Sequence, residues 1–197
     1  MSLTKDPLPK TGWESVNTDR YDKVWTQMEA SGQNVHGEAD FVSRFSPTSA
    51  LDAGCGTGRV AIELARRGCH VAGVDLDEPF IATAQKKAPE LDFRLGDIAS
   101  VQLDRTFDVV VMAGNVMIFL APNTEARVVA NMSAHVSPGG RLVAGFQLGR
   151  GLDVASYNTH AAAVGLELAE HWCSWNGDTT TDASDYAVLV HQKPTSN

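Results

Sequence analysis

From Ala50 onward, short apolar runs alternate with segments in which apolar residues return every three or four positions. The runs Ala50–Ala53, His70–Val74, Asp92–Leu95, Val109–Met112 and Arg141–Phe146 predict strands, and Arg59–Arg67, Glu78–Lys87 and Thr124–Val136 predict the helices between them. Parallel neighbours need a crossover, and crossovers are right-handed, so this alternation predicts a mainly parallel sheet with helices on both faces. Gly68, Pro89 and Pro138-Gly139-Gly140 supply the stops. Beyond Gly149-Arg150-Gly151, a helix over Val154–Val164 ends at Gly165, and Leu166–Trp175 and Tyr186–Gln192 flank Asn176-Gly177-Asp178 as a hairpin with a long tip. The expected fold is therefore a doubly wound α/β domain: a seven-stranded, mainly parallel sheet closed by a C-terminal antiparallel hairpin.

Ahead of this unit, Val16, Tyr21, Val24, Trp25 and Met28 fall partly at helical spacing and predict a helix over 19–30, stopped by Ser31-Gly32. A second helix from Glu38 to Phe45 places Phe41, Val42 and Phe45 on one face. The two helices, within residues 13–46, are expected to cover whatever site the α/β core at 47–197 carries. Residues 1–12, with Pro7, Pro9 and Gly12, are expected to be loose and without function. A chain of 197 residues with 43% hydrophobic residues is enough for one domain with a sizeable core, and one domain is expected.

Charge narrows the partners. Sixteen basic against 24 acidic residues give a net charge of -8, which offers no general attraction to nucleic acid or to an anionic membrane. No run approaches the roughly 20 apolar residues that span a bilayer, and no basic segment leads into an apolar one at the start, so a cytoplasmic location is expected. Cys55, Cys69 and Cys173 are scattered, which suggests reduced thiols and no metal site.

The chemistry concentrates in Ala50-Leu-Asp-Ala-Gly-Cys-Gly-Thr-Gly-Arg59. Three alternate glycines end a strand and open a helix, where a ligand can approach the backbone and unpaired N–H groups wait at the helix start. Acidic residues follow the next two strands at Asp75 and Asp97. The dinucleotide fingerprint needs a third glycine where Arg59 stands, and a phosphate-binding Walker loop needs a Lys-Ser or Lys-Thr that is missing.

Asp52-Ala-Gly-Cys-Gly-Thr-Gly58 resembles the first motif of class I S-adenosylmethionine-dependent methyltransferases. Later segments resemble that family in order: His70-Val-Ala-Gly-Val-Asp75, Leu95-Gly-Asp97-Ile, Phe107-Asp-Val-Val-Val-Met-Ala-Gly-Asn115 and Pro138-Gly139-Gly140-Arg-Leu. The resemblance implies S-adenosylmethionine as cofactor, S-adenosylhomocysteine as product, and no metal. It places Asp75 at the ribose hydroxyls, Asp97 at the adenine amine, Leu76 and Ile98 about the adenine, and Asp52 at the ammonium. Gly54 and Gly56 would let the turn approach the ligand. Cys55, Gly58, Arg59, Ala113 and Gly114 join the expected cofactor contacts, with Trp25 from the N-terminal helix.

For the acceptor side, Asn115, Val116 and Met117 after the fourth strand are candidates, with Tyr21 and His36 and then Tyr157 and His160. His36 is the first candidate for a general base; Asn115 and Tyr21 complete the catalytic set. Asp77 suits a helix cap, which leaves Asp75 for the ribose. His135, His171 and His191 are read as structural, and Cys55 as a small turn residue. The expected partner is a small-molecule methyl acceptor whose identity and reacting atom are open, as is the choice between monomer and homodimer. A non-catalytic module that senses S-adenosylmethionine, and a nicotinamide-dependent oxidoreductase, are the competing readings.

Overall fold

The computed structural model describes residues 18–195, so the expectations for residues 1–12, and for Val16, lie outside the described residues. Two helices, α1 (Thr18–Ala30) and α2 (Gly37–Ser43), lead into β1 (Ser49–Ala53). The alternation then runs α3 (Arg59–Arg66), β2 (His70–Asp75), α4 (Glu78–Lys87), β3 (Asp92–Leu95) and β4 (Phe107–Met112). After a 3₁₀ turn at Val116–Ile118 come α5 (Glu125–Ala134), β5 (Val136–Gln147), α6 (Val154–Ala163), β6 (Glu167–Trp172) and β7 (Tyr186–Gln192).

The seven strands form one sheet in the order β3-β2-β1-β4-β5-β7-β6. Strands β1 to β5 pair in parallel, and β7 runs antiparallel between β5 and β6. Strand β1 has β2 on one side and β4 on the other, so the order reverses there. At such a reversal the connections leave in opposite directions and open a crevice at the carboxyl ends of the strands. The glycine-rich turn follows β1 and therefore sits at that crevice.

Strand side chains alternate between two cores, as a period of two requires. Leu51, Val74, Val110, Met112, Leu142 and Leu189 face α5 and α6, whereas Ala50, Val71, Val109, Val111, Val143 and Val190 face α2, α3 and α4. The helices answer with Val128, Val129 and Met132 on one side and Val60, Ala61 and Leu64 on the other.

Most element ends fall within a residue or two of the sequence expectation, and the ends of β5 and β6 depart furthest from it. Strand β5 begins at Val136, because Val136 already pairs with Phe107; the Pro138-Gly139-Gly140 break survives as an irregularity, with Arg141 next in register at Val109. Strand β6 stops at Trp172 instead of Trp175. Trp175 folds inward onto the sheet, where its Cζ2 stands 2.2 Å from the position of a Cβ on Gly145 and its Nε1 donates to the Tyr186 hydroxyl at 3.1 Å.

Candidate active site

Residue Asp52 lies on the α3 face of β1, buried at 1% exposure. Helix α3 opens at Gly58, which has no side chain with which to cap it, and Asp52 supplies the missing acceptor from the strand: the Ala61 N–H donates to its Oδ2 at 3.0 Å. Burial penalises the carboxylate more than this bond favours it, and its pKa is pushed up to about 7. The turn itself is tight. Gly54 has φ +82° and donates its N–H to the Val74 carbonyl at 2.7 Å; Gly58 has φ +85°, and a Cβ there would meet the Phe93 ring at 2.8 Å.

The second strand ends in Asp75, which binds the turn to its own loop. Its Oδ2 accepts from the Gly56 N–H at 2.8 Å and its Oδ1 from the Asp77 N–H at 2.9 Å. Burial raises its pKa against these two bonds. Asp77 caps α4 by accepting from the Phe80 N–H at 3.1 Å, as its position suggested. Asp97 turns the chain after β3, with Oδ1 accepting from the Ala99 N–H at 2.9 Å. Each of these carboxylates keeps further acceptor capacity, since an ionised carboxylate offers about four lone-pair sites.

These residues converge on a cavity of about 590 Å³ at the strand-order reversal. Its walls include Asp52, Gly54, Cys55, Gly56 and Arg59 from the turn, then Asp75, Leu76, Asp97 and Ile98 from the next two strand ends. Ala113, Gly114 and Val116 close it from β4, and Tyr21 reaches it from α1. Leu76 is 58% exposed, an apolar side chain left open beside the cavity. Burial raises the Cys55 thiol well above its usual range, which removes it as a nucleophile near neutral pH. Among the described residues, no three His, Cys, Asp or Glu side chains gather as for a metal ion, and no helix is long and apolar enough to cross a membrane.

Residues 50–140 match a family described as a methyltransferase domain. The chain is 36% identical to a TehB-like S-adenosylmethionine-dependent methyltransferase of Corynebacterium glutamicum, with a TM-score of 0.83, over 89% of this chain and 97% of that one. It belongs to the class I S-adenosylmethionine-dependent methyltransferases. A magnesium-protoporphyrin O-methyltransferase of Rhodobacter capsulatus is 38% identical over 78 residues, 37% of this chain and 34% of that protein. A dTDP-4-amino-2,3,4,6-tetradeoxy-D-glucose N,N-dimethyltransferase of Saccharopolyspora spinosa is 28% identical over 149 residues, 71% of this chain and 59% of that protein. The chain thus spans between a third and three-fifths of the length of these two relatives.

Several expected site residues of this methyltransferase are spent elsewhere, and each has a structural reason. His36 precedes α2 outside the cavity walls, and its Nδ1 is buried without a hydrogen-bond partner among the described residues. His36, the expected general base, is therefore not among the residues that line the cavity. The Trp25 ring carries the Arg59 guanidinium at 3.9 Å instead of lining the cavity. Asn115, at φ +66°, accepts from the Gln147 N–H through its Oδ1 at 2.8 Å, which ties the β4 exit to the end of β5. Gly58 is taken up by packing against Phe93, and Met117 by the core. Tyr157 is fully buried against Phe146 and His191, and His160 on α6 is likewise absent from the walls. Of the catalytic candidates the structure brings Tyr21 to the cavity, where its ring packs on Phe80 at 5.4 Å and burial raises its pKa.

Other wall residues carried no signal in the sequence reading. Phe80 sits in the apolar pattern of α4, Phe119, Leu120 and Thr124 reach the cavity from the segment between β4 and α5, and Arg127 reaches it from the first turn of α5. Arg59 is held by a bidentate pair with Glu38, at 2.8 and 2.5 Å, and by the Val35 carbonyl. Burial works against the Arg59 charge, but Glu38 outweighs it and the pKa rises.

Proposed function

We propose that this protein transfers the methyl group of S-adenosylmethionine to a small-molecule acceptor. One observation carries the reading: three carboxylates with spare acceptor capacity, Asp52, Asp75 and Asp97, line one cavity with an open glycine turn at the reversal of the strand order. That set fits the cofactor's groups, since an ammonium, two ribose hydroxyls and an adenine amine are all donors and the carboxylates are acceptors. When bound, S-adenosylmethionine supplies a sulfonium methyl open to in-line attack. The chain's own contribution is then placement and exclusion of water. The side-chain-free turn lets the ligand approach the backbone, Leu76 and Ile98 offer apolar surface to a flat base, and Val116 and Phe119 keep the β4 side dry.

A small acceptor is supported by the net charge of -8, which suits no nucleic acid, and by the aminosugar and porphyrin named for the two relatives. With His36 outside the cavity, Tyr21 is the candidate side chain for orienting the acceptor, as a hydrogen-bond donor.

Calorimetric titration with S-adenosylmethionine and S-adenosylhomocysteine tests the reading, with Asp75→Ala and a nicotinamide dinucleotide as controls. Binding that Asp75→Ala weakens about 100-fold, followed by methyl transfer in an acceptor screen, is the expected result. A correctly folded protein that binds neither compound overturns it, and binding without turnover on any acceptor favours a sensor.

A further inference from the structure

Helix α5 is bolted to the loop after β3. The Asn131 amide donates to the carbonyls of Ile98 at 3.0 Å and Val101 at 2.9 Å, while its Oδ1 accepts from Gln102 at 3.0 Å. Arg127 is four residues earlier on the same helix face, one turn nearer the cavity, and helical side chains tilt toward the helix start. It lines the cavity, as does Thr124 three residues before it. Arg59, the other cation in those walls, is neutralised by Glu38. The Arg127 side chain has no hydrogen bond or ion pair among the described residues, and Asp97, an opposite charge lining the same cavity, is not within ion-pair distance of it.

We infer that Arg127 is a cofactor-positioning residue: its guanidinium donates to an adenine ring nitrogen beside the 6-amino group, while Asp97 accepts from that amine. This rests on the cofactor reading above. The edge of adenine on either side of C6 presents a donor, the amine, next to an acceptor, N1 or N7. A carboxylate and a guanidinium that line one cavity but do not pair supply the complementary acceptor and donor. An aspartate alone would accept any exocyclic amine. The added donor requires the ring nitrogen as well, so Arg127 makes the site selective for the base.

The test is titration of the wild-type protein and Arg127→Ala with S-adenosylhomocysteine and its 1-deaza and 7-deaza analogues, alongside thermal melts. Arg127 is exposed, and the variant is expected to melt with the wild type. Arg127→Ala should weaken S-adenosylhomocysteine about tenfold, the scale of one hydrogen bond from a charged group. Against one of the deaza analogues, which lacks the accepting nitrogen, the same substitution should cost nothing, closing a cycle that isolates that contact. Unchanged affinity in the variant, or an equal penalty against all three ligands, overturns the inference while leaving the cofactor reading intact. A wild-type protein that binds none of the three overturns both.

Discussion

The Cγ2 of Val116 stands 2.3 Å from the point a Cβ on Gly54 would occupy. The turn after β1 and the exit from β4 are thus interlocked across the crevice, with the valine filling the space the glycine leaves. Gly54 also sits at φ +82°, where a side chain is strained without any neighbour. Gly54→Ala is expected to lose about 2 kcal/mol or more of stability, from backbone strain and overpacking together, and to lose cofactor binding with it. Adding Val116→Ala relieves the clash but not the φ, so stability should return only in part. Urea denaturation of the two variants checks this; a Gly54→Ala protein as stable as the parent would contradict the interlock.

Asp75 and Asp77 are two residues apart and do different work. Asp75 holds the turn through Gly56 and keeps acceptor capacity toward the cavity, while Asp77 caps α4. Removing Asp75 deletes charge-assisted bonds of about 1.5–3 kcal/mol each, so Asp75→Ala should weaken S-adenosylhomocysteine by about 100-fold. Asp77→Ala should instead cost about 1 kcal/mol of stability with a smaller change in affinity. Paired calorimetry and melting curves separate the two; equal affinity losses would merge the roles.

Asp52 makes cofactor affinity depend on pH. Its pKa is raised to about 7 by burial, and an ammonium beside it would favour the ionised form. Affinity for S-adenosylmethionine should therefore fall as pH drops from about 7 to 6, by up to about tenfold per unit, with a proton released on binding. Asp52→Asn should flatten that slope. Titration in two buffers of different ionisation enthalpy reads the proton directly, and a pH-independent affinity would remove Asp52 as the ammonium's partner.

What the sequence reveals here is what local pattern can encode. Strand faces alternate through Leu51, Asp52 and Ala53 as a period of two requires, and Gly68 and Pro89 stop helices where backbone chemistry says they must. The acidic strand ends were legible for the same reason, because each closely follows its own apolar run. Residues committed to distant partners were not. Asn115 is spent on Gln147 and Trp25 on Arg59, and neither partner is marked by spacing. Arg127 reaches the cavity from α5, a helix that Asn131 fastens to the 98–101 loop through a contact between segments about thirty residues apart. His36 looked well placed along the chain, but the turn into α2 leaves it out of the cavity walls.

The Arg59–Glu38 pair joins the cofactor helix to α2 with both side chains nearly buried, at 12% and 11% exposure. Removing one partner of such a pair leaves an uncompensated charge. Glu38→Gln is expected to cost about 3 kcal/mol, whereas a pair of apolar replacements, Glu38→Leu with Arg59→Met, should recover most of that stability. The double variant should still bind the cofactor more weakly, because Arg59 also lines the cavity. Chemical denaturation of the three proteins decides it; a double variant as unstable as Glu38→Gln would show that the pair is stabilising in itself.

His191 and Asp52 oppose each other in the acid response of the fold. The imidazole is 1% exposed, packs on Tyr157 at 5.5 Å with neither ring nitrogen bonded among the described residues, and burial lowers its pKa to about 4. From an unfolded value near 6.5, the unfolded chain takes up this proton first, so stability is lost as pH falls from about 6.5 to about 4, by up to about 3 kcal/mol. Asp52 has the opposite sign. Its folded pKa of about 7 exceeds its unfolded value, so its contribution is full below the unfolded pKa and is lost as pH rises toward 7; Asp75, also raised, adds to it. Between pH 4.5 and 6.5 the two contributions nearly cancel, and the lowered carboxylate of Glu63, with a pKa of about 2, acts only below this window. Substitution should therefore unmask one slope at a time. Asp52→Asn is expected to lose stability steeply on acidification, and His191→Phe to gain it. Urea midpoints at pH 4.5, 5.5 and 6.5 measure both slopes, and slopes of the same sign in the two variants would refute the opposition.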